Sequence, residues 1–451
     1  MTKNMTSGNP AKLIFFFALP LIIGNIFQQF YSMADTMIVG RTIGVTALAA
    51  VGCTGSLSFF IIGFVNGFTS GLAVITAQRF GAKDMEGVKK SFATGILLTI
   101  FLSIGMTILA VLIARPVLEF LQTPAEILDD ATSYITIIFA GIGATALFNL
   151  CSNMLRALGD SKMPLCFLVI ACLLNIVLDL VLILFFHMGV AGAGTATVFS
   201  QLVSGICCLI YIKYKVPAFW ISRKHFGLHR REVSAQLRIA FPMAFQMSII
   251  AIGSMIVQSV LNTFGSTAVA SYTAAQKIDS IATMPLNSFG SAMSTYAAQN
   301  YGAGKQDRIR KGVTQCILMS VSFSIVMGLV NIFFGGNLAS LFVGNSEPQV
   351  LENARTYLSI SGSLYWSLAL LFIYRFTLQG LGNSSIPTLS GVLELLMRIF
   401  AALVLARLAG FTGICCSCPL AWIVACVPLG IAYYTIMRRL ETTGSLKLSR
   451  S

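Results

Sequence analysis

The chain has 451 residues, of which 56% are hydrophobic and only 10% are charged, and its formal net charge is +14. Because a soluble domain carries roughly 25% charged residues, this composition excludes a soluble protein and indicates a polytopic membrane protein. The apolar stretches do not alternate apolar and polar residues as the strands of a transmembrane barrel do, so the predicted fold class is all-α.

Twelve apolar stretches are long enough to cross a bilayer as helices, which takes about 20 residues each. In chain order the predicted spans cover residues 13–39, 46–78, 91–114, 131–155, 163–186, 190–212, 239–263, 267–299, 312–334, 356–380, 386–408 and 414–437. Several are longer than a straight crossing requires, so tilted or bent helices are expected.

The basic residues orient these spans. If both chain ends are cytoplasmic, most of the 30 basic residues fall in cytoplasmic segments, and the opposite face holds only Arg41, Arg115, Arg355 and Arg407. This bias follows the positive-inside rule and accounts for the net charge without nucleic acid as a partner. We therefore predict an integral protein of the cytoplasmic (inner) membrane with both termini in the cytoplasm.

The sequence also repeats itself. AQRFGAKD (77–84) resembles AQNYGAGK (298–305), and LRALGDSKMP (155–164) resembles LQGLGNSSIP (378–387) at nearly the same offset. Parallel repeats of this kind are typical of transporters in which the substrate cleft lies between the halves. The predicted organisation is a six-helix N-terminal lobe, a basic cytoplasmic linker, a six-helix C-terminal lobe and a cytoplasmic tail, at residues 1–212, 213–238, 239–440 and 441–451.

Intramembrane acids mark the candidate coupling site. No phosphate-binding loop of the GxxxxGK[ST] type is present, so uphill transport would need an ion gradient. Asp35 is the only charged residue between Lys12 and Arg41, and Asp179 is the only one between Lys162 and Lys213. Acids in such positions mark ion or proton paths by default, although a polar group that bonds two helices together is the alternative interpretation.

Amides accompany both acids. Gln28 precedes Asp35 by about two helical turns and shares its face, and Asn175 precedes Asp179 by one turn. The pairs Asn149/Asn153 and Thr195/Thr197 add oxygen atoms in neighbouring spans. Carboxylate, amide and hydroxyl oxygens suit either a shared proton or a sodium ion, so Asp35 and Asp179 are also the predicted ligands if the ion is Na⁺.

The remaining intramembrane charges are ambiguous. Glu394 and Arg398 are one turn apart and read as a structural ion pair. Lys277 and Asp279 do not face each other on a helix, and a structural or interfacial role is favoured. Arg375 has no acid nearby in the sequence, so a partner on another helix and a functional role stay open.

Methionines are the candidates for an adaptable substrate cavity. Soft, flexible side chains suit cavities that accept many ligands, and lipid-facing filler is the alternative. The predicted cavity residues are Met243, Met247, Met284 and Arg375.

The repeated motifs, together with Pro20 and the segment DTMIVGRTIG (35–44), resemble the multidrug and toxic compound extrusion (MATE) family over about residues 10–440. The resemblance implies twelve helices in two six-helix lobes, a V-shaped central cavity and cation-coupled export of organic, often cationic compounds. The DinF-like branch is favoured because its coupling positions match Asp35, Gln28, Asn175 and Asp179, with Asn149, Asn153 and Thr197 as accessory polar ligands. The helix 7 glutamate of the NorM-like branch has no counterpart between Arg238 and Lys277, so a C-lobe cation site of that type is not expected.

The function predicted on these grounds is secondary antiport, driven by H⁺ or Na⁺, of drug-like organic compounds. A lipid-linked saccharide flippase of the same architecture is the alternative. The three histidines lie at span ends or in the linker without a paired metal motif, which argues against an enzyme. The expected partners are a small-molecule substrate and membrane lipid, no cofactor is expected, and the chain is expected to act as a monomer.

Overall fold

The computed structural model describes residues 4–227, 229–343 and 348–442, and these residues are helical apart from short turns and connections. Two five-residue π turns cover Val181–Phe185 and Ala401–Leu405, and two short 3₁₀ turns cover Pro217–Phe219 and Arg223–His225. The helices are α1 Pro10–Thr42, α2 Val45–Cys53, α3 Gly55–Gly81, α4 Met85–Phe120, α5 Ala125–Ala140, α6 Ile142–Ala157, α7 Lys162–Leu180, α8 Gly189–Lys215, α9 Arg230–Asn262, α10 Ser266–Gly302, α11 Gln306–Val343, α12 Pro348–Ser363, α13 Tyr365–Gly380, α14 Ser385–Phe400, α15 Ala406–Cys415 and α16 Ser417–Thr442.

The predicted all-α fold with twelve spans is confirmed. Within the described residues, nine helices or helix runs are long and apolar enough to cross a membrane, and two bent pairs, α5 with α6 and α12 with α13, add two more. The remaining predicted span, 267–299, corresponds to α10, which is 37 residues long but is not among these apolar helices because it is rich in serine and threonine. The two bent pairs correspond to the predicted spans 131–155 and 356–380, which break by 45° and 50° instead of continuing straight.

The repeated motifs fold into the same turns in both halves. Lys83, the seventh residue of AQRFGAKD, adopts φ 62°, and its counterpart Gly304 in AQNYGAGK adopts φ 68°. Gly159 and Gly382 adopt φ 81° and 85° directly after α6 and α13. Left-handed backbone at a helix end favours glycine, which explains why the LG pair recurs in both copies.

The first compact unit contains residues 20–248 together with Asn4. Its apolar core lies among α2, α3, α4, α5 and α6, around side chains such as Ile61, Phe139 and Ile142. Helices α3 and α9 approach closely within this unit, because a Cβ on Gly71 would lie 2.5 Å from Ala240 Cα. Small residues at such crossings let helix backbones pack directly in a membrane.

The second compact unit contains residues 5–19 and the chain from Ile249 onward. Its core joins α9, α10, α11, α12 and α15 through residues such as Leu261, Tyr272 and Leu358. The segment before α1 is held on the end of α10, where Gln299 Oε1 accepts from Met5 N at 2.9 Å.

The segment 213–238, predicted as a linker, is partly helical. Helix α8 runs to Lys215 and α9 begins at Arg230. Arg79 and Glu232 form an ion pair with Nη2 and Oε2 2.6 Å apart, which ties the start of α9 to the end of α3. Most of the predicted tail, residues 443–451, lies outside the described residues.

Candidate functional site

Helices α1 and α7 bring the two predicted acids together inside the first unit. Asp179 is fully buried, and Asp35 is half-buried. Their carboxyl groups lie close enough to interact with each other. Two neighbouring carboxyl groups can form a hydrogen bond only when one of them carries a proton, since an ionised carboxylate has no donor.

Asn175 and Thr197 belong to the same cluster. In the amide orientation that satisfies both of its polar groups, Asn175 Nδ2 donates to Asp179 Oδ2 at 2.9 Å and Oδ1 accepts from Thr197 N at 3.0 Å. The hydrogen bond from Asn175 holds one carboxyl oxygen of Asp179 in place. The spacing of Asn175 and Asp179 in the sequence predicted the hydrogen bond between them. Thr197 lies on α8 and reaches Asn175 because α7 packs against α8. Thr195 stays apart, because its hydroxyl donates to Ala191 O.

Two tyrosines complete the cluster, and the sequence analysis missed both. Tyr31 Oη lies 3.4 Å from Thr197 Oγ1. Tyr134, from α5, interacts with both acids and packs against the apolar residues that enclose this end of α1 and α7. Tyr31 precedes Asp35 by one helical turn, so the i,i+4 rule was a signal available in the sequence, whereas Tyr134 had none.

One oxygen of each acid has no protein donor. Oδ1 of Asp35 and Oδ1 of Asp179 are both buried and have no hydrogen-bond partner among the described residues. The part of the chain that is described also places no basic side chain within ion-pair distance of either acid. Buried carboxylates without such partners are costly, so the cluster favours taking up a proton or a small cation.

Polar cavities extend from the cluster along α1. One has a volume of about 240 Å³ and is lined from Pro20 to Gln28 on α1 and by residues of α3, α6 and α7. A second, of about 110 Å³, begins at Gln28 and reaches Tyr31, Thr145 and Gln201. Tyr31 therefore connects this second cavity with the carboxyl cluster, because its hydroxyl lies beside Thr197.

The other predicted polar residues line these cavities and do not contact the acids. Gln28 and Asn149 border both cavities, and Asn153 borders the larger one. Asn149 donates its amide to Asn66, and Asn153 Nδ2 donates to Ser70 Oγ at 3.2 Å. The structure thus separates the predicted set into a carboxyl cluster and a cavity lining about two helical turns away.

The second unit contains a buried charge cluster of its own. Arg375 Nη2 donates to Glu394, and Arg398 Nη2 lies 3.9 Å from Glu394 Oε2. Arg398 Nη1 also donates to Ser254 Oγ at 3.1 Å. The ion pair of Glu394 with Arg398 that the sequence predicted is present. The closer partner of Glu394 is Arg375, which lies on a different helix.

Asp279, for which a structural or interfacial role was expected, is buried and hydrogen-bonded. It is only 9% exposed and accepts a hydrogen bond from Tyr365 Oη at 2.6 Å, while Tyr365 in turn accepts from Asn331 Nδ2 at 2.8 Å. Lys277 is exposed, as its distance along the helix from Asp279 implies. Of the two roles expected for Asp279, the buried hydrogen bond favours the structural one, and α10 continues for several turns on both sides of it.

The role of the predicted methionines as substrate-cavity residues stays a prediction. Met243 is buried against Val74 and Ile239, and Met247 and Met284 are half-buried. Arg375, the fourth predicted cavity residue, forms an ion pair with Glu394. None of the four borders either of the two polar cavities in the described part of the first unit.

Comparison with known proteins gives concordant results. A family model described as MatE matches residues 20–181 and 242–404. The chain is 31% identical to the probable multidrug resistance protein YpnP of Bacillus subtilis (strain 168) over 82% of each chain. It is 26% identical to an FAD transporter of Shewanella oneidensis over 94% of this chain and 93% of that protein. Its fold matches the crystal structure of a MATE protein in complex with MaL6, with a TM-score of 0.90 at 23% identity over 98% of this chain and 100% of the other.

Proposed function

The chain belongs to the MatE family of multidrug efflux transporters, and on this premise we propose that it is a cation-coupled antiporter of organic compounds. The coupling ion, H⁺ or Na⁺, exchanges at Asp35 and Asp179. The observation that carries the proposal is the approach of two intramembrane carboxyl groups whose Oδ1 atoms are buried without a donor.

The cluster performs the exchange through its charge. When the pair holds a proton, one carboxyl group donates to the other and α1 and α7 are bonded through their side chains. When the proton leaves, two like charges face each other in an apolar environment, which repels the helices. Sodium would instead be held by carboxylate, amide and hydroxyl oxygens of Asp35, Asp179, Asn175 and Thr197.

Two features connect ion exchange to transport. Tyr31 reaches from the carboxyl cluster into the polar cavity. Pro20, which frees a backbone carbonyl in α1 and borders the larger cavity, is the proposed bending point through which the state of Asp35 acts on that helix. Substrate leaves this side of the first unit as α1 changes shape, in an alternating-access cycle.

The names of the relatives guide the substrate class. Multidrug resistance is the described role of YpnP, which favours drug-like, cationic or amphipathic compounds over the flippase alternative. The FAD transporter shows that a related chain handles an acidic organic molecule, so cations are not the whole range we propose. We place the protein in the cytoplasmic membrane with both termini in the cytoplasm.

Everted membrane vesicles with ethidium in the outside medium test the proposal. Wild-type protein should move ethidium into the lumen when a proton or sodium gradient directed outward from the lumen is imposed, and the ion that drives transport is the coupling ion. Asp35→Asn should abolish this transport at an equal protein level because the neutral amide neither releases a proton nor supplies a charge. The matched control is Asp129→Asn, since the Asp129 side chain is 86% exposed. Full gradient-driven transport by Asp35→Asn would refute Asp35 as a coupling residue.

A further inference from the structure

Among the residues that the structure describes, Arg156 is the only charged side chain that lines the larger polar cavity of the first unit. The other polar lining groups are neutral amides and hydroxyls, including Asn25, Gln28 and Ser70, and no carboxylate borders the cavity. The cavity therefore has a net positive charge at one end. A guanidinium is the side chain that proteins use most often for planar recognition of carboxylates and phosphates.

The guanidinium of Arg156 is poorly satisfied by the protein. Its Nη1 donates to Asn153 Oδ1 at 3.4 Å, a long contact. Its Nε is buried without a partner, and no acid lies within ion-pair distance of it among the described residues. A guanidinium that is partly buried with so few partners is costly and points to a ligand that completes it.

The internal repeat shows that the local fold does not need this charge. Arg156 in LRALGDSKMP corresponds to Gln379 in LQGLGNSSIP. Both motifs end a helix and turn through a glycine with positive φ, at Gly159 and at Gly382. Since a neutral amide serves the same turn in the second half, the guanidinium has a purpose specific to the first half.

We propose that the cavity around Arg156 is a subsite for the carboxylate of an acidic or zwitterionic organic substrate. The guanidinium binds the carboxylate with two parallel N–H···O bonds, and neighbouring amide groups border the rest of the acidic arm. The cavity holds about 240 Å³, below the roughly 300 Å³ at which drug-sized pockets begin. It therefore takes an acidic arm, while the body of the substrate extends beyond it toward the second cavity, which shares Gln28, Asn66 and Asn149.

This subsite rests on the proposed export function, because it specifies which substrates that function includes. It differs from the coupling site in residues and in charge: Asp35 and Asp179 attract a cation, whereas Arg156 attracts an anion. The two activities can therefore be lost separately.

A matched pair of dyes tests the subsite. Rhodamine 110 carries a free carboxyl group, and rhodamine 123 is its methyl ester, so the two share a ring system and differ at the carboxylate. Binding of each dye to the purified full chain in lipid nanodiscs is measured by fluorescence polarisation for wild type, Arg156→Gln and Arg156→Lys. Arg156→Gln installs the residue that the second repeat already has at this place.

The free acid should lose about tenfold in affinity in Arg156→Gln, the effect of one charge-assisted pair, while the ester binds as it does to wild type. Arg156→Lys should fall between the two, since it keeps the charge and loses the bidentate geometry. Unchanged ester binding also shows that the variant is folded. Equal losses for both dyes, no loss for either, or a wild type that does not bind the free acid would overturn the subsite. Wild type that binds the dyes but does not export them under an ion gradient would contradict the proposed function and leave the subsite supported.

Discussion

Replacing Glu394 with glutamine should destabilise the second unit strongly. Glu394 is 4% exposed and lies between Arg375 and Arg398, which are 4% and 6% exposed. The substitution keeps the shape of the side chain and one acceptor oxygen, but it leaves two buried guanidinium groups without their only acidic partner in the described structure.

The magnitude follows from burial. Breaking a buried ion pair costs about 3–5 kcal/mol, because an uncompensated charge is left in the interior. The glutamine carbonyl still accepts one hydrogen bond, so the lower end, about 3 kcal/mol, is expected. The matched control is Glu119→Gln, which removes the same charge from an ion pair with Arg115 whose side chains are 54% and 53% exposed. Exposed pairs contribute about 0–1 kcal/mol.

Thiol exposure provides the assay. Cys316 and Cys415 are buried in the second unit, so a fluorogenic maleimide reacts with them only when this unit opens. Purified variants are unfolded by heat or by increasing detergent strength, and the free energies of unfolding are compared. Adding Arg375→Met to Glu394→Gln should recover part of the loss, because it removes one unpaired charge. A cost for Glu394→Gln no larger than that for Glu119→Gln would refute the reasoning.

Three further predictions concern other sites. For each coupled proton, a pH gradient of one unit supplies about 1.4 kcal/mol and supports about a tenfold substrate gradient. Vesicles that contain Asp179→Asn should accumulate no substrate, and any gradient-driven accumulation would contradict the coupling role of Asp179. Tyr365→Phe removes the 2.6 Å hydrogen bond to Asp279 and should lower the unfolding free energy by about 1–3 kcal/mol, measured with the same thiol assay; an unchanged midpoint would show that Asp279 does not depend on it. Gly71→Ala places a Cβ 2.5 Å from the backbone of α9 and should destabilise the first unit by about 1–3 kcal/mol. The control Gly105→Ala, whose Cβ would have no neighbouring atom within 4 Å, should be neutral or stabilising. Equal effects of the two substitutions would disprove the close packing of α3 on α9.

Much of the carboxyl cluster could be predicted from the sequence, because the patterns that indicate it are local. A lone acid in an apolar helix is conspicuous, and Asn175 and Asp179 lie on one face through helical periodicity alone. Tyr31 follows the same rule and was overlooked. Tyr134 could not be found in this way, since α5 reaches the cluster only through packing.

Spacing along the chain could not identify the partners of residues that depend on tertiary contacts. Asp279 was expected to be structural or interfacial, and its partner is a tyrosine on another helix that no spacing within α10 could indicate. Arg375 had no acid nearby in the sequence, and its partner Glu394 comes from α14. Arg156 counted simply as a positive charge at a cytoplasmic span end, whereas the structure places it at a polar cavity.

The sequence by itself determined that this chain is an all-helical membrane protein built from two repeats, and it identified Asp35 and Asp179 as the two isolated acids of the first half. It could do so because burial in lipid makes each charge costly, and because helical periodicity and repeated turns are local properties of the chain. Only the tertiary structure decided that the two acids meet, that Gln28 and the asparagines of α6 line a cavity instead of joining them, and that Arg156 is left with one long hydrogen bond. Those outcomes depend on which faces of distant helices pack together, and no spacing within a single helix specifies that.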